Sequence, residues 1–147
     1  MVNDDIDAAS AAEVDGVHLG QDDVKVSEAR ARLGPDAIIG LSCETVDQVR
    51  AADPGVVDYL GIETRFPTAS KPDHKPRIGL RCLAELVGSA TLQSVAIGGL
   101  KQEHAAGLLA AGCEGMAVVS AICGQPDTER AARALRHALD MARAAAR

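Results

Sequence analysis

Aromatic side chains are almost missing from this chain of 147 residues, which has no Trp, one Tyr (Tyr59) and one Phe (Phe66). A core built without them is filled by Ala, Val, Leu and Ile, and such residues suit parallel strands covered by helices. Positive charge is also scarce. The net charge is −6, so a nucleic-acid partner would need a local basic patch. The only concentration of arginines, at Arg130, Arg133, Arg136 and Arg143, alternates with Ala and Leu as a solvated helix face does. Nucleic acid is therefore not expected as a partner. The four cysteines (Cys43, Cys82, Cys113, Cys123) form no Cys-x-x-Cys pair. That argues against zinc and reads as small buried hydrophobes in a reducing compartment. No apolar run approaches the ~20 residues of a membrane-spanning helix, and no secretory leader is evident. The expectation is a soluble, cytoplasmic protein without a membrane partner.

What the chain does contain is a repeat of short apolar runs that end in Gly, Ser or a carboxylate. They are Gly16–Gly20 (GVHLG), Ala37–Ser42 (AIIGLS), Asp58–Glu63 (DYLGIE), Ser94–Gly99 (SVAIGG) and Gly115–Ser120 (GMAVVS). Each is too short for a helix and too continuous for a one-sided strand, which predicts buried parallel strands. Helical segments separate them. Val24–Leu33 stops at Gly34-Pro35, Thr45–Ala52 opens with an N-cap residue, Lys101–Ala111 ends at Gly112, and Asp127–Ala146 follows the last run. A longer gap after Gly61 should hold an irregular loop and one helix near Leu80–Val87. This alternation predicts one α/β domain with a parallel sheet.

Two closures fit that alternation, an open doubly wound sheet and a barrel. No Gly-x-Gly-x-x-Gly turn is present, so the main mark of a dinucleotide-binding open sheet is missing. Gly98-Gly99 and Ser120-Ala121 end successive strands about one βα unit apart. In barrels with phosphorylated ligands, backbone amides after the last two strands form a phosphate cup. Glycine lets the backbone approach an anion closely, and a following helix N-terminus adds a favourable dipole.

Several stretches, taken in order, resemble the thiamine-phosphate synthase family. Val2-Asn3-Asp4 resembles the end of that family's third strand, where an Asn-Asp pair faces diphosphate and magnesium. Gly16-Val17-His18-Leu19-Gly20-Gln21-Asp22-Asp23 is similar to its fourth-strand signature, whose last Asp is the second magnesium ligand. Ser42 stands where the family places a phosphate-contacting Ser. Phe66-Pro67-Thr68-Ala69-Ser70-Lys71 resembles the loop that grips the diphosphate. Ala96-Ile97-Gly98-Gly99 and Val118-Val119-Ser120-Ala121-Ile122 resemble the two loops that hold the thiazole phosphate. The likeness runs from about residue 2 to residue 140.

The resemblance implies an incomplete TIM-type parallel (β/α) barrel, residues 1–147 forming one domain with about six of the eight βα units. The first two units, including a strand that brings further diphosphate ligands, are expected to be lacking. It also implies a transferase of thiamine biosynthesis that joins hydroxymethylpyrimidine diphosphate to thiazole phosphate. Asp4 and Asp23 are then the Mg2+ ligands. Asn3, Ser42, Thr68, Ser70 and Lys71 contact the diphosphate, with Lys71 and Ser42 catalytic. Gly98, Gly99, Val119 and Ser120 hold the thiazole phosphate.

The departures from the family pattern are Asp5 for an Arg, Glu44-Thr45 for His-Thr, and Glu63-Thr64-Arg65 where Gly-Pro usually precedes the Phe-Pro-Thr loop. Two other readings compete. A thiazole tautomerase of the same barrel family would need an acid/base side chain where Glu44 stands, and a non-catalytic truncated fragment would bind without turnover. Open sheet edges invite association into a homo-oligomer.

Overall fold

The computed structural model describes residues 1–64 and 79–145. Six strands lie in one sheet in the order in which they occur: β1 (Val2–Asn3), β2 (Gly16–Leu19), β3 (Ile38–Cys43), β4 (Tyr59–Glu63), β5 (Gln93–Ile97) and β6 (Gly115–Ala117). Every neighbouring pair is parallel. The helices between and after them are α1 (Ile6–Ala11), α2 (Val26–Leu33), α3 (Val46–Ala51), α4 (Leu80–Gly88), α5 (Ala105–Ala110) and α6 (Thr128–Ala145), with a 3-10 turn at Gln102–His104. Crossovers of one hand in strictly consecutive strand order put every helix on the same face of the sheet. No reversal point of the doubly wound kind exists among the described residues.

The expected strands and helices are present, with α1 as an addition that sequence reading did not foresee. Its start signal is local, since the Asp5 carboxylate accepts the Ala8 amide at 2.8 Å. Thr45 does cap α3, and it does so in a capping box with Gln48. Gly34 ends α2 with φ +92°, a conformation favouring glycine. Two strands are shorter than the apolar runs that announced them. β5 stops at Ile97 and β6 at Ala117, so Gly98-Gly99 and Val119-Ser120 lie in loops beyond the ladder.

The strands are not apolar on both faces, as their composition suggested. Val17, Leu19, Ile39, Leu60, Ile62 and Ala96 point to the helices and are fully buried. Leu60, Ile62 and Ala96 pack with Leu83 and Leu86 of α4, Leu108 of α5 and Val49 of α3, while Val17, Leu19 and Ile39 form a second cluster with Ile6 and Ala9 of α1 and Ala29 of α2. Truncating Leu83 to Ala should cost roughly 3 kcal/mol, the usual penalty for a large cavity in such a site. The alternate positions carry His18, Ser42, Tyr59 and Glu63, all half-buried. This second face is concave. A single cavity of ≈ 440 Å³ is lined by Asn3 of β1, His18 of β2, Tyr59 of β4, Ile97 of β5 and Ala117 of β6, so the first and sixth strands curl round one space.

At the N-terminal ends of the strands, Arg30 of α2 ties β3 to β4. Its guanidinium donates to the carbonyls of Gly34, Pro35, Ala37 and Val56 and pairs with Asp58 at 2.7 Å. The same Asp58 oxygen accepts the Ile39 amide at 2.7 Å.

Candidate functional site

Parallel strands place all their C-terminal ends on one rim, and those residues named from sequence that are described lie at or beyond these ends. Asn3 ends β1 and stands in register with His18. Asp4 follows with φ +66°, a left-handed conformation that Asp tolerates better than most residues. Its amide donates to the His18 carbonyl at 2.9 Å, extending the β1–β2 ladder by one bond. Asp23 lies in the loop after β2, where its carboxylate accepts the Gly20 amide at 2.6 Å. It does not cap α2, whose N-cap is Lys25 without a side-chain bond.

Both carboxylates act on His18. Burial lowers the His18 pKa from its ordinary value, and the charges of Asp4 and Asp23 oppose that shift. The charges of two acidic side chains are therefore felt at one imidazole near the ends of β1 and β2. Among the described residues no group of three or more His, Cys, Asp and Glu side chains forms a metal site. A magnesium ion held by one or two carboxylates, waters and substrate phosphates needs no larger cluster.

His18 is the centre of a network that sequence reading missed. Its Nδ1 lies 2.8 Å from the Tyr59 hydroxyl and its Nε2 lies 2.9 Å from Ser42 Oγ. The glycines beneath make room for it. A Cβ on Gly61 would stand 2.8 Å from His18 Cε1, and one on Gly40 would collide with both the His18 and Tyr59 rings. Burial also raises the Tyr59 pKa. The tautomer decides what Ser42 can do. With the proton on Nε2, Tyr59 donates to Nδ1, Ser42 accepts, and the Ser42 hydroxyl proton is left to donate elsewhere. With the proton on Nδ1, Ser42 spends its only proton on the imidazole. Gln21 adds a further tie, its amide donating to the Ser42 carbonyl at 2.6 Å. The period-two spacing of Tyr59, Gly61 and Glu63 puts these three on one face of β4, but only the register with β3 and β2 makes it the face of His18.

A second cavity, of ≈ 450 Å³, opens where the β5 and β6 loops meet α6, and Gly99, Lys101, Ser120, Gln125 and Leu135 are among its lining residues. Gly98 and Gly99 have φ +109° and +63°, so this turn requires glycine at the first position and favours it at the second. Val119 is largely exposed and opens a tight turn in which its carbonyl accepts the amides of Ile122 and Cys123. Ser120 and Ala121 stand at the leading edge of that turn, and Gln125 Nε2 donates to the Ser120 carbonyl at 2.8 Å. Gly99 and Ser120 thus line one cavity. Lys101 was not foreseen there. Thr68, Ser70 and Lys71 lie outside the described residues.

These features define a class: a singly wound parallel α/β sheet with carboxylates and a glycine-lined mouth along the C-terminal rim. The profile of the thiamine monophosphate synthase family matches residues 1–122. The chain is 45% identical over 143 residues to thiamine-phosphate synthase of Azorhizobium caulinodans and 43% identical over 143 residues to that of Moorella thermoacetica. Each match covers 97% of this chain and 68% of the relative. Among solved structures, thiamine phosphate pyrophosphorylase from Pyrococcus furiosus superposes with a TM-score of 0.82 at 34% identity, over 95% of this chain and 66% of that one. The chain spans about two thirds of the length of the relatives it matches. It belongs to the thiamine monophosphate synthase family, an enzymatic family of transferases in thiamine biosynthesis. Among the described residues no helix is long and apolar enough to cross a membrane.

Proposed function

We propose that this chain carries the substrate-handling rim of a thiamine-phosphate synthase, joining hydroxymethylpyrimidine diphosphate to thiazole phosphate with release of diphosphate. Its six βα units correspond to the third to eighth units of a TIM-type barrel. The observation that carries this reading is the common rim: the Asp4 and Asp23 pair at β1 and β2, and the Gly99 and Ser120 mouth at β5 and β6. In this reading the two substrate phosphate groups bind at the β1–β2 and β5–β6 parts of the rim, and the concave cavity that holds His18 and Tyr59 reaches from β1 to β6. The location that goes with this chemistry is the cytoplasm, and the partners are small phosphorylated molecules.

In the reaction the bond from the pyrimidine methylene carbon to the diphosphate oxygen breaks first, and the thiazole nitrogen lone pair then forms the new C–N bond. Little proton transfer is needed, so the protein contributes positioning and electrostatic stabilisation. Asp4 and Asp23 would hold Mg2+, which when bound offsets the negative charge of the leaving diphosphate. Asn3 meets a phosphate oxygen without adding charge. Ser42, with the imidazole proton on His18 Nε2, donates its hydroxyl to the diphosphate. By sequence, Thr68, Ser70 and Lys71 complete that grip, Lys71 as a mobile point charge. Gly98, Gly99, Val119 and Ser120 present main-chain groups to the thiazole phosphate. The test is direct. The purified chain should bind its phosphorylated substrates with Mg2+ and form thiamine phosphate, followed by chromatography, only slowly if at all, and a chelator should abolish both binding and product. A folded chain that neither forms product nor binds either substrate overturns the reading.

A further inference from the structure

We infer that Thr64 is a positioning residue that aims the Gly99 amide into the phosphate mouth, an inference resting on the assignment of that mouth to the thiazole phosphate. Thr64 follows β4 and is 1% exposed, one of only two buried polar residues among those described. It is spent entirely on the end of β5. Its amide donates to the Ile97 carbonyl at 2.7 Å. Its hydroxyl lies 2.9 Å from the same oxygen and 3.1 Å from the Gly98 carbonyl, sharing its proton between them.

The consequence follows from peptide geometry. The Gly98 carbonyl and the Gly99 N–H belong to one planar trans peptide and point in opposite directions. Holding the Gly98 oxygen against buried Thr64 turns the Gly99 N–H away from β4, toward the cavity that Gly99 lines. The restraint matters because both residues are glycines at positive φ. A Gly-Gly peptide flips at little steric cost, and a flipped peptide would present a carbonyl, not a donor, to an anion. Thr64 thus removes the conformational freedom that the same glycines need in order to adopt the turn. A phosphate group arriving at Gly99 and Ser120 meets a donor already oriented, and less ordering is lost on binding.

The probe is inorganic phosphate, titrated into isotopically labelled protein while the backbone amide signals of Gly99 and Ser120 are followed. In the unsubstituted chain both signals should shift saturably. Thr64→Val keeps the side-chain volume but removes the hydroxyl, and it should weaken phosphate binding by about tenfold, the worth of one hydrogen bond. Thr64→Ser, which restores the donor, should bind nearly as the unsubstituted chain does. Loss of stability without a change in phosphate affinity in Thr64→Val would overturn the inference while leaving the mouth assigned. Failure of phosphate to shift either signal in the unsubstituted chain would remove the mouth itself and the role of Thr64 with it. Should Thr64→Val not fold, Thr64→Ser decides: near-normal affinity supports the hydroxyl as the restraint, and a tenfold loss in that variant contradicts it.

Discussion

The two ends of the sheet are built by opposite rules. At the N-terminal end Arg30 gathers four carbonyls and the Asp58 carboxylate, and Asp58 in turn takes the Ile39 amide. Charge there is matched to loop carbonyls and used up in holding β3 against β4. At the C-terminal end the charges of Asp4 and Asp23 bear on His18, and Lys101 lines the mouth beyond β5 and β6. Left-handed backbone occurs at both ends, at Glu13, Gly34 and Gly112 in the loops leading into strands and at Asp4, Gly98 and Gly99 beyond them. Parallel strands with short returning loops make this division natural, because the rim after the strands is free to vary while the other end secures the units. The difference teaches where energy is stored for stability and where it is forgone for binding.

Substitutions should separate the two ends cleanly. Arg30→Ala should have the largest effect on stability, about 2–4 kcal/mol, because a half-buried carbonyl cluster loses its donor. Urea unfolding should read that loss, with phosphate affinity unchanged. A matching loss of phosphate binding would break the division. Asp4→Ala and Asp23→Ala should each weaken Mg2+ binding by tenfold or more, roughly the value of a charged ligand, as measured by calorimetry. Asp23→Ala should in addition lower stability by about 1 kcal/mol through the lost Gly20 bond. If neither variant changes Mg2+ affinity, the metal assignment fails.

Gly99→Leu should abolish most phosphate binding, while its left-handed backbone adds only about 1–2 kcal/mol of strain. Unfolding and phosphate titration on the same variant distinguish the two terms. The smallest effect is a reactivity contrast. Burial pushes the thiols of Cys43 and Cys113 up to about 11, whereas Cys82 and Cys123 are exposed. A thiol reagent near neutral pH should label Cys82 and Cys123 at once and the buried pair only on unfolding. Fast labelling of Cys43 would mean that β3 opens far more readily than its packing implies.

Most of the architecture was legible along the chain. The five apolar runs, the helix stop at Gly34, the cap at Thr45 and the helix near Leu80 all appear where local chemistry puts them. Local signals sufficed because strand and helix choice depends on neighbours a few residues away. The helix α1 escaped although it is as long as α3 and α5, because its run of Ala and Asp offers only Ile6 as a large apolar residue to mark a buried face.

The site was legible only as a list of residues on the right rim. By itself the sequence determined an α/β chain of repeated units with Asn3, Asp4, Asp23, Ser42, Gly98, Gly99 and Ser120 at or beyond strand ends. Which of these meet was decided by the register and curl of the sheet. His18 joins Tyr59 and Ser42, 41 and 24 residues away, only because β2, β3 and β4 align so that Gly40 and Gly61 leave a hollow between them. Thr64 reaches Gly98, 34 residues on, by the same means. Such contacts have no local signature, since a shift of one residue in pairing would turn each side chain to the other face of the sheet.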